Sequence, residues 1–430
     1  MPLTFLLEWI GLLFIGPFLI FPTFHLQLTF VALIILIIIW GVTSLLYKQP
    51  WPSTPFNGIL LLFAIMLGVG ISVTTIPELT LPKATGLILG LAIFRAVAWT
   101  ANYREGQSAA IIGFYLLGLG IVAVGVAGVS WSMKVPVLQR LVGKIPQRMV
   151  YLPEAPEKGV SPNQLAGIIA FYLPFPLASL FNRPASRGNL PGKVVAFVTV
   201  IILTAVLILT QSRSGWLGGI VGVIVTFMFM GLLSERRWLR IAGTMLPIII
   251  AIGVTIFVLW VGPDRIGEAL YGAAESFVET PVGKITYRGR LEIWSRALYA
   301  IQDFPFTGCG LGTFRRIAHI LYPFFLVPPG QDFAHAHNIF LQVALDLGIP
   351  GLVAYLALLG LTISVAWQVA SIKVEFRPFA LGLLAGLVAL HIYGLTDALA
   401  LGSKPGLAFW MGLGLIASMA NMSNVKGSYS

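Results

Sequence analysis

Long apolar runs, separated by short polar connections, make up most of the chain. A hydrocarbon core about 30 Å thick takes roughly 20 apolar residues per helical crossing, and many of the runs approach that length. The pattern therefore predicts about twelve membrane-spanning helices. They lie near Leu3–Phe24, Leu28–Tyr47, Phe56–Thr75, Leu87–Thr100, Ala109–Ser130, Asn163–Phe181, Val194–Thr210, Trp216–Leu233, Ile241–Val261, Ile349–Ile372, Phe379–Leu399 and Leu407–Met422.

The composition agrees with this pattern. Of the 430 residues, 57% are hydrophobic and only 10% are charged, which is too little charge for the surface of a soluble domain of this size. Continuous apolar runs also exclude the alternating pattern of an outer-membrane barrel. We predict an all-α integral membrane protein in which residues 1–430 form one polytopic domain. The first run, Leu3–Phe24, lacks the basic segment and cleavage site of a signal peptide and is expected to be retained.

The lysines and arginines predict the orientation, because such residues resist translocation. Their excess in alternate connections places the N-terminus in the cytoplasm, although the basic connection 132–162 is then outside. The formal net charge of +11 is expected from topology and from contact with anionic lipid or phosphate groups, so no nucleic-acid partner is predicted. The inside connections contain Lys48, Arg104, Arg183, Arg187, Lys193, Arg236, Arg237, Arg240, Lys373, Arg377 and Lys426.

One long hydrophilic insertion, residues 262–336, separates the ninth and tenth predicted spans. The predicted orientation makes it an extracytoplasmic loop, and long loops of this kind are usually functional. Residues 290–302 predict a short helix with Leu291, Trp294 and Leu298 on its apolar face, joined by Ile301. Such a helix can lie along the membrane surface or cover a cavity. The glycines of 304–314 indicate a tight turn.

Two histidines end this loop, within Ala334–Gln342. Asn338 is a suitable cap for the apolar helix that follows, which places His337 at the positive helix end and favours a neutral imidazole, as a general base requires. A metal site formed by His335, His337 and nearby Asp332 is the alternative. Few further ligands stand near in sequence, and the only cysteine, Cys309, excludes a thiolate cluster. We therefore predict no metal and no cofactor.

Arginines supply the candidate anion-binding groups. Arg213 lies between two predicted spans with scarcely any loop, flanked by Ser212 and Ser214. Its guanidinium can grip an anion in bidentate fashion, helped by the two hydroxyls and the start of the next helix, or it can simply extend to lipid headgroups. Arg290 and its competitor Arg288 repeat the pattern in the outer loop, where a solvated helix face is the alternative.

Four ionisable residues lie inside predicted spans: Glu8, Arg95, His391 and Asp397. Charged groups beside lipid are expensive and often functional. Each of these residues alone is expected to be a hydrogen-bond partner between helices. His391 and Asp397 are close to the outer end of the eleventh span, where they can also meet the region of His337.

Taken together, three segments resemble the O-antigen ligase and polymerase family of bacterial membrane glycosyltransferases. They are the turn Gln211–Trp216, the helix beginning Arg290–Trp294 with the glycine-rich Pro305–Gly312, and the motif His337–Gly348. Their order and spacing, the number of predicted spans and the single large loop all agree with that family. Asp346 departs from it, since the family more often has glutamate there.

The resemblance implies a GT-C-like, metal-independent transferase at the outer face of the bacterial inner membrane, with its active site facing the periplasm. Its donor is a glycan on undecaprenyl diphosphate, and its acceptor is a hydroxyl of lipid A core, of a glycan repeat or of a protein. By position, Arg213 and Arg290 bind the diphosphate and His337 activates the acceptor, with inversion at the anomeric carbon. The secondary candidates are Arg288, His335, Asn338, Ser212, Ser214 and Asp397.

Two other functions remain open from sequence. Some members of the family are discussed in connection with inorganic carbon, so a transporter of a small anion such as bicarbonate is the main alternative. A transporter is expected to bury its charges near the bilayer midplane, whereas these candidates gather at one membrane boundary. A structural membrane protein whose loop docks a partner is the third possibility.

Overall fold

A computed structural model describes residues 3–99, 104–131, 135–154, 159–181, 190–261, 287–328 and 332–426. Within these ranges the regular structure is helical, apart from an isolated bridge between Val129 and Val160. The predicted all-α class is confirmed. The helices are α1 Leu3–Ile20, α2 Leu26–Tyr47, α3 Asn57–Ser72, α4 Pro77–Ala98, α5 Arg104–Gly128, α6 Pro136–Val142, α7 Pro162–Tyr172, α8 Pro174–Phe181, α9 Leu190–Leu209, α10 Arg213–Leu232, α11 Arg237–Val261, α12 Tyr287–Asp303, α13 Phe314–Leu321, α14 Ile339–Ile372, α15 Arg377–Gly394 and α16 Leu407–Lys426.

Eight spans within the described helices are long and apolar enough to cross a membrane, and two shorter apolar helices, Leu7–Ile20 and Asn57–Ser72, accompany them. Helices α2 and α9 expose large apolar side chains on one side, as expected where a helix faces lipid. The chain is therefore a multi-pass membrane protein. Every predicted apolar run overlaps a helix. The total of about twelve crossings and the outer position of the long loop stay predictions, and residues 262–286 of that loop lie outside the described residues.

Helix α14 is broken at Gly348, which has φ 70° and ψ 177° inside an otherwise helical segment. A Cβ at this position would lie 2.5 Å from the carbonyl oxygen of Phe306, so only glycine fits the break. The Ile349 N–H donates to Pro305 O at 2.7 Å, and the Cys309 N–H donates to Leu345 O at 2.7 Å. The predicted glycine-rich turn thus packs against the break, and the predicted span begins just after it.

Two predicted boundaries are wrong. Helix α4 begins at Pro77, ten residues before the predicted Leu87. Proline is tolerated in the first turn of a helix, so Pro77 can begin it, and a second proline, Pro82, lies within the helix. Helix α15 ends at Gly394, whereas the predicted span continues to Leu399. Asp397 therefore lies in a turn after the helix and not inside a span.

The predicted outer-loop helix is confirmed as α12, but its buried face matches the predicted one only in part, through Ile301, which packs against the buried cluster of the loop. Ile293, Ala297 and Ala300 are fully buried, whereas Leu291 and Leu298 are 39% and 52% exposed. The hydrogen bonds of the neighbouring residue, Glu292, explain this orientation of the helix. The Glu292 carboxylate accepts hydrogen bonds from three consecutive backbone N–H groups, Phe325, Leu326 and Val327, at 2.6–2.9 Å. This contact turns the Glu292 side of the helix toward the rest of the loop.

Candidate active site

The two histidines of the loop and Asp397 form one cluster. His335 Nε2 lies 3.3 Å from Asp397 Oδ1, and His337 Nδ1 lies 3.6 Å from the same oxygen. The two imidazole rings contact each other edge to face, with centroids 4.5 Å apart. Asp397 is almost fully buried and both histidines are mostly buried. The fold therefore joins residues 60 positions apart in sequence, as the prediction that Asp397 can meet the region of His337 proposed.

Asn338 holds this cluster in place. As predicted, it caps α14: its Oδ1 accepts from the N–H groups of Phe340 and Leu341 at 3.0 and 3.1 Å. Its Nδ2 donates to Leu395 O at 3.1 Å, which ties the histidine segment to the chain just after α15. His337 itself has φ 51°, in the left-handed region that non-glycine residues seldom occupy. Such conformations persist only where the surroundings enforce them.

Hydrogen bonding assigns the tautomer of His335. Its Nδ1 accepts from the backbone N–H of His337 at 3.2 Å, so Nδ1 carries a lone pair. The proton of the neutral ring is then on Nε2, which faces Asp397. His335 thus orients the carboxylate, and the same oxygen faces Nδ1 of His337.

Electrostatics agree with this assignment. Burial, followed by repulsion from His337, lowers the pKa of His335 to about 3, with Lys83 and Arg290 contributing and Asp397 opposing. Burial acts to raise the pKa of Asp397, but the two imidazoles and Arg290 outweigh it, so that the pKa lies below its ordinary value. At neutral pH the cluster therefore holds a neutral His335 and an ionised Asp397.

Arg290 belongs to this site. It lies in the first turn of α12, is partly buried, and acts electrostatically on both His335 and Asp397. Arg288 occupies the same helical turn, but its side chain lies outside what the structure describes.

Arg213 begins a helix that packs against α15, and among the described residues it makes no hydrogen bond or ion pair with the cluster. It begins α10 and is exposed. Five glycines of α10 are buried, and a Cβ at Gly218 would lie 3.2 Å from Tyr393 Cβ, so the start of α10 packs against the end of α15. Among the described residues no hydrogen bond or ion pair joins Arg213 to His337 or Arg290. The Ser212 Oγ caps α10 by accepting from Gly215 N at 3.3 Å, and Ser214 lies beside it.

Four buried polar atoms of this region make no hydrogen bond of normal length among the described residues, although Asp397 is close enough to His337 and Tyr393 to interact with both. They are Arg290 Nε, His337 Nδ1, Asp397 Oδ2 and the hydroxyl of Tyr393. Tyr393 is fully buried in α15, four residues before Asp397, and interacts electrostatically with Asp397 and Arg290. Sequence reasoning missed it, although its spacing from Asp397 is that of one helical turn. Buried polar groups are normally satisfied, so this concentration of unsatisfied atoms points to a polar ligand.

A neighbouring network explains Asp346, which stands where the family it resembles more often has glutamate. Its Oδ1 accepts from Gly312 N at 2.8 Å and from Gln342 Nε2 at 2.9 Å, and its Oδ2 lies 3.3 Å from Lys83 Nζ. Gln342 Oε1 in turn accepts from Ala336 N at 2.8 Å. Asp346 therefore fastens the glycine-rich turn to the helix after the histidines. Lys83, which sequence reasoning did not single out, brings a further cation close to His335.

The candidate metal site contains a different carboxylate from the predicted one. Asp332 is bound by Arg315, with Arg315 Nε 2.8 Å from Asp332 Oδ1. Asp397 takes its place beside the histidines, and one possible ligand atom from each of His335, His337 and Asp397 lies within 4.8 Å of the others.

The remaining ionisable residues of the spans are hydrogen-bond partners between helices, as predicted: Glu8 pairs with Arg95, and His391 Nε2 lies 2.7 Å from the Tyr355 hydroxyl.

A comparison with known protein families matches residues 198–356 to the model of the O-antigen ligase family. These residues are similar to that family and are called the O-antigen ligase segment below. The comparison with curated proteins finds no match.

The O-antigen ligase segment runs from α9 into α14 and contains Arg213, Arg290 and His337. Asp397, Tyr393 and Lys83 lie outside it, so the cluster combines residues of the O-antigen ligase segment with residues from the rest of the chain. Together with the membrane-spanning helices, the family supports a membrane glycosyltransferase of the O-antigen ligase kind.

Proposed function

We propose that the protein transfers a glycan from an undecaprenyl-diphosphate carrier to an acceptor hydroxyl, at the periplasmic face of the bacterial inner membrane and without a metal ion. The observation that carries this proposal is the convergence of His337, Asp397 and Arg290, with unsatisfied polar atoms on all three. A base beside an orienting carboxylate and a guanidinium is the set of groups that glycan transfer from a diphosphate requires.

His337 serves as the general base in this proposal. Asp397 faces its Nδ1 at 3.6 Å, which favours the tautomer with the proton on Nδ1 and leaves Nε2 to accept a proton. The acceptor hydroxyl passes its proton to Nε2 while its oxygen attacks the anomeric carbon. The ionised Asp397 then stabilises the imidazolium.

The leaving group is undecaprenyl diphosphate. As the bond between the anomeric carbon and the phosphate oxygen breaks, its electron pair stays on the diphosphate. In this proposal Arg290 stabilises that charge, and Arg213, exposed at the start of α10, binds the same diphosphate. Direct attack from the opposite face inverts the configuration at the anomeric carbon.

The decisive experiment incubates purified protein with an undecaprenyl-diphosphate glycan and candidate acceptors, with a chelator present. We expect transfer by the wild-type protein and a loss of about 100- to 10,000-fold in His337→Gln, the range for removing a general base. His319→Gln is the matched control, because His319 belongs to α13 and stacks on Phe324 and Phe333 instead.

Two results would contradict the proposal. Full activity in His337→Gln would show that His337 is not the general base. Loss of activity in the presence of the chelator would rule out a metal-free mechanism. The same preparation in liposomes tests the alternative function: uptake of bicarbonate without glycan transfer would favour an anion transporter.

A further inference from the structure

The spacing within the cluster resembles that of metal ligands. Zinc binds histidine nitrogen and carboxylate oxygen at about 2.0–2.2 Å, so neighbouring ligands of a tetrahedral site are about 3.3–3.5 Å apart. His335 Nε2 and His337 Nδ1 lie 3.3 and 3.6 Å from Asp397 Oδ1. All three possible ligand atoms lie within 4.8 Å of one another. Small side-chain adjustments would therefore bring two nitrogens and one oxygen around a single ion.

A second observation points to a ligand at the same place. Asp397 is 1% exposed, yet its Oδ2 makes no hydrogen bond of normal length among the described residues, and the buried Nδ1 of His337 has only the Asp397 carboxylate facing it, at 3.6 Å. The two nearby cations, Arg290 and Lys83, do not fill this role. Lys83 is bound to Asp346, and Arg290 has its own unsatisfied Nε.

We propose that His335, His337 and Asp397 form a binding site for a zinc-class divalent ion, and that its binding inhibits glycan transfer. Two imidazoles and one carboxylate favour zinc over magnesium or calcium, which prefer oxygen ligands. Three protein ligands leave a fourth position for water or a substrate oxygen. The inhibition rests on the function proposed above, whereas the binding does not.

Inhibition follows from the proton positions. A metal on Nδ1 of His337 takes the lone pair there and leaves the ring proton on Nε2, the atom that accepts the acceptor's proton. Binding through Nε2 of His335 moves the proton of that ring to Nδ1, so the hydrogen bond from the His337 N–H is lost. Asp397 enters as a carboxylate. No net proton is released, and the base is blocked.

Binding is tested on the purified full chain, prepared without a polyhistidine tag. We expect one equivalent of zinc by calorimetry, with a dissociation constant in the micromolar range because Arg290 and Lys83 oppose the charge. Cobalt should give the intense visible absorption of a low-coordinate site, and magnesium should give no heat. His335→Gln and Asp397→Asn should each weaken zinc binding at least 10-fold. His25→Gln, a change at an exposed histidine between α1 and α2, should not alter it.

A parallel readout guards against misfolded variants. Zinc should raise the thermal unfolding temperature of the wild-type protein and of His25→Gln, but not that of His335→Gln. Absence of binding to the folded wild-type protein, or binding unchanged in both His335→Gln and Asp397→Asn, would overturn the site.

The transfer assay tests inhibition separately. Zinc should inhibit at concentrations near its dissociation constant, a chelator should restore activity, and His335→Gln should need at least 10-fold more zinc for the same inhibition. Activation by zinc, or full activity with the site saturated, would overturn the inhibition. A wild-type protein that binds zinc but transfers no glycan would refute the proposed function and leave the binding site standing.

Discussion

Two regions of this membrane protein bury charged side chains, and they differ in whether their polar atoms have partners. In the first, Arg95 of α4 pairs with Glu8 of α1 and also donates to Thr43 Oγ1 at 3.1 Å and to Pro50 O at 3.3 Å. In the described part of the chain, no side-chain atom of Arg95 or Glu8 is left buried without a partner. In the second, the cluster around Asp397, four buried polar atoms make no hydrogen bond of normal length.

The difference separates structural charge from functional charge. Removing a charge from water is costly, and a folded protein recovers that cost through hydrogen bonds and opposite charges. The Arg95 region recovers it internally, so it holds α1 and α4 together. In the Asp397 cluster part of this desolvation cost is not offset by hydrogen bonds, as expected of a site that a substrate or ion completes. The predictions below test this comparison.

The largest effect is expected for Asp397→Asn. An amide cannot hold His337 in the same tautomer or stabilise its imidazolium, so kcat should fall about 100- to 10,000-fold. KM should change much less, and the pH profile of kcat should change shape. Steady-state kinetics across pH measure both. An Asn variant with the wild-type kcat would separate Asp397 from proton transfer.

Breaking the satisfied region should affect stability and not chemistry. Arg95→Leu leaves Glu8 as an unpaired buried charge and should cost about 3–5 kcal/mol of stability. The double change Glu8→Leu and Arg95→Leu should restore most of it. Chemical unfolding in detergent measures the three variants, and specific activity per folded molecule should stay within about twofold. If the double variant were no more stable than Arg95→Leu, the pair would not be the source of the effect.

The unsatisfied region should lose much less stability. Arg290→Met removes a partly buried guanidinium whose Nε has no hydrogen bond but whose charge favours the ionised Asp397, so stability should fall by no more than about 1 kcal/mol. Transfer should fall about 100- to 1,000-fold, the usual cost of one electrostatic donor. The same measurements on Arg316→Met, at an exposed arginine of α13, provide the control. A large loss of stability in Arg290→Met would show that Arg290 stabilises the fold and would contradict this comparison.

The smallest effect concerns pH. The folded pKa of His335 is about 3, below its ordinary value of 6.5. Between these values the unfolded chain binds the proton and the folded chain does not, so stability decreases as pH falls from about 7. His335→Gln should make the thermal unfolding temperature less sensitive to pH between 7.5 and 5, by about 2 °C. His25→Gln should retain the wild-type slope; an equally steep slope in His335→Gln would contradict the assignment.

Several features of the site could be predicted from local sequence. The cap formed by Asn338 and the helix containing Arg290 each depend on residues close in the chain, where short-range hydrogen bonds and helix geometry decide the outcome. The buried side of α12 could not, because Glu292 turns it by contacting residues 325–327. Lys83 was missed for the same reason, because it contacts Asp346 across a separation of 263 residues.

The sequence by itself determined that this chain is helical and membrane-spanning, since apolar runs of sufficient length leave few other ways to satisfy the backbone in lipid. It also determined which residue types are available for chemistry. Only the tertiary structure decided that Asp397, and not Asp332, stands beside the histidines, and that Arg290 approaches them while Arg213 stays exposed. Contacts between distant segments depend on how helices pack against one another, which the periodicity of each helix does not specify.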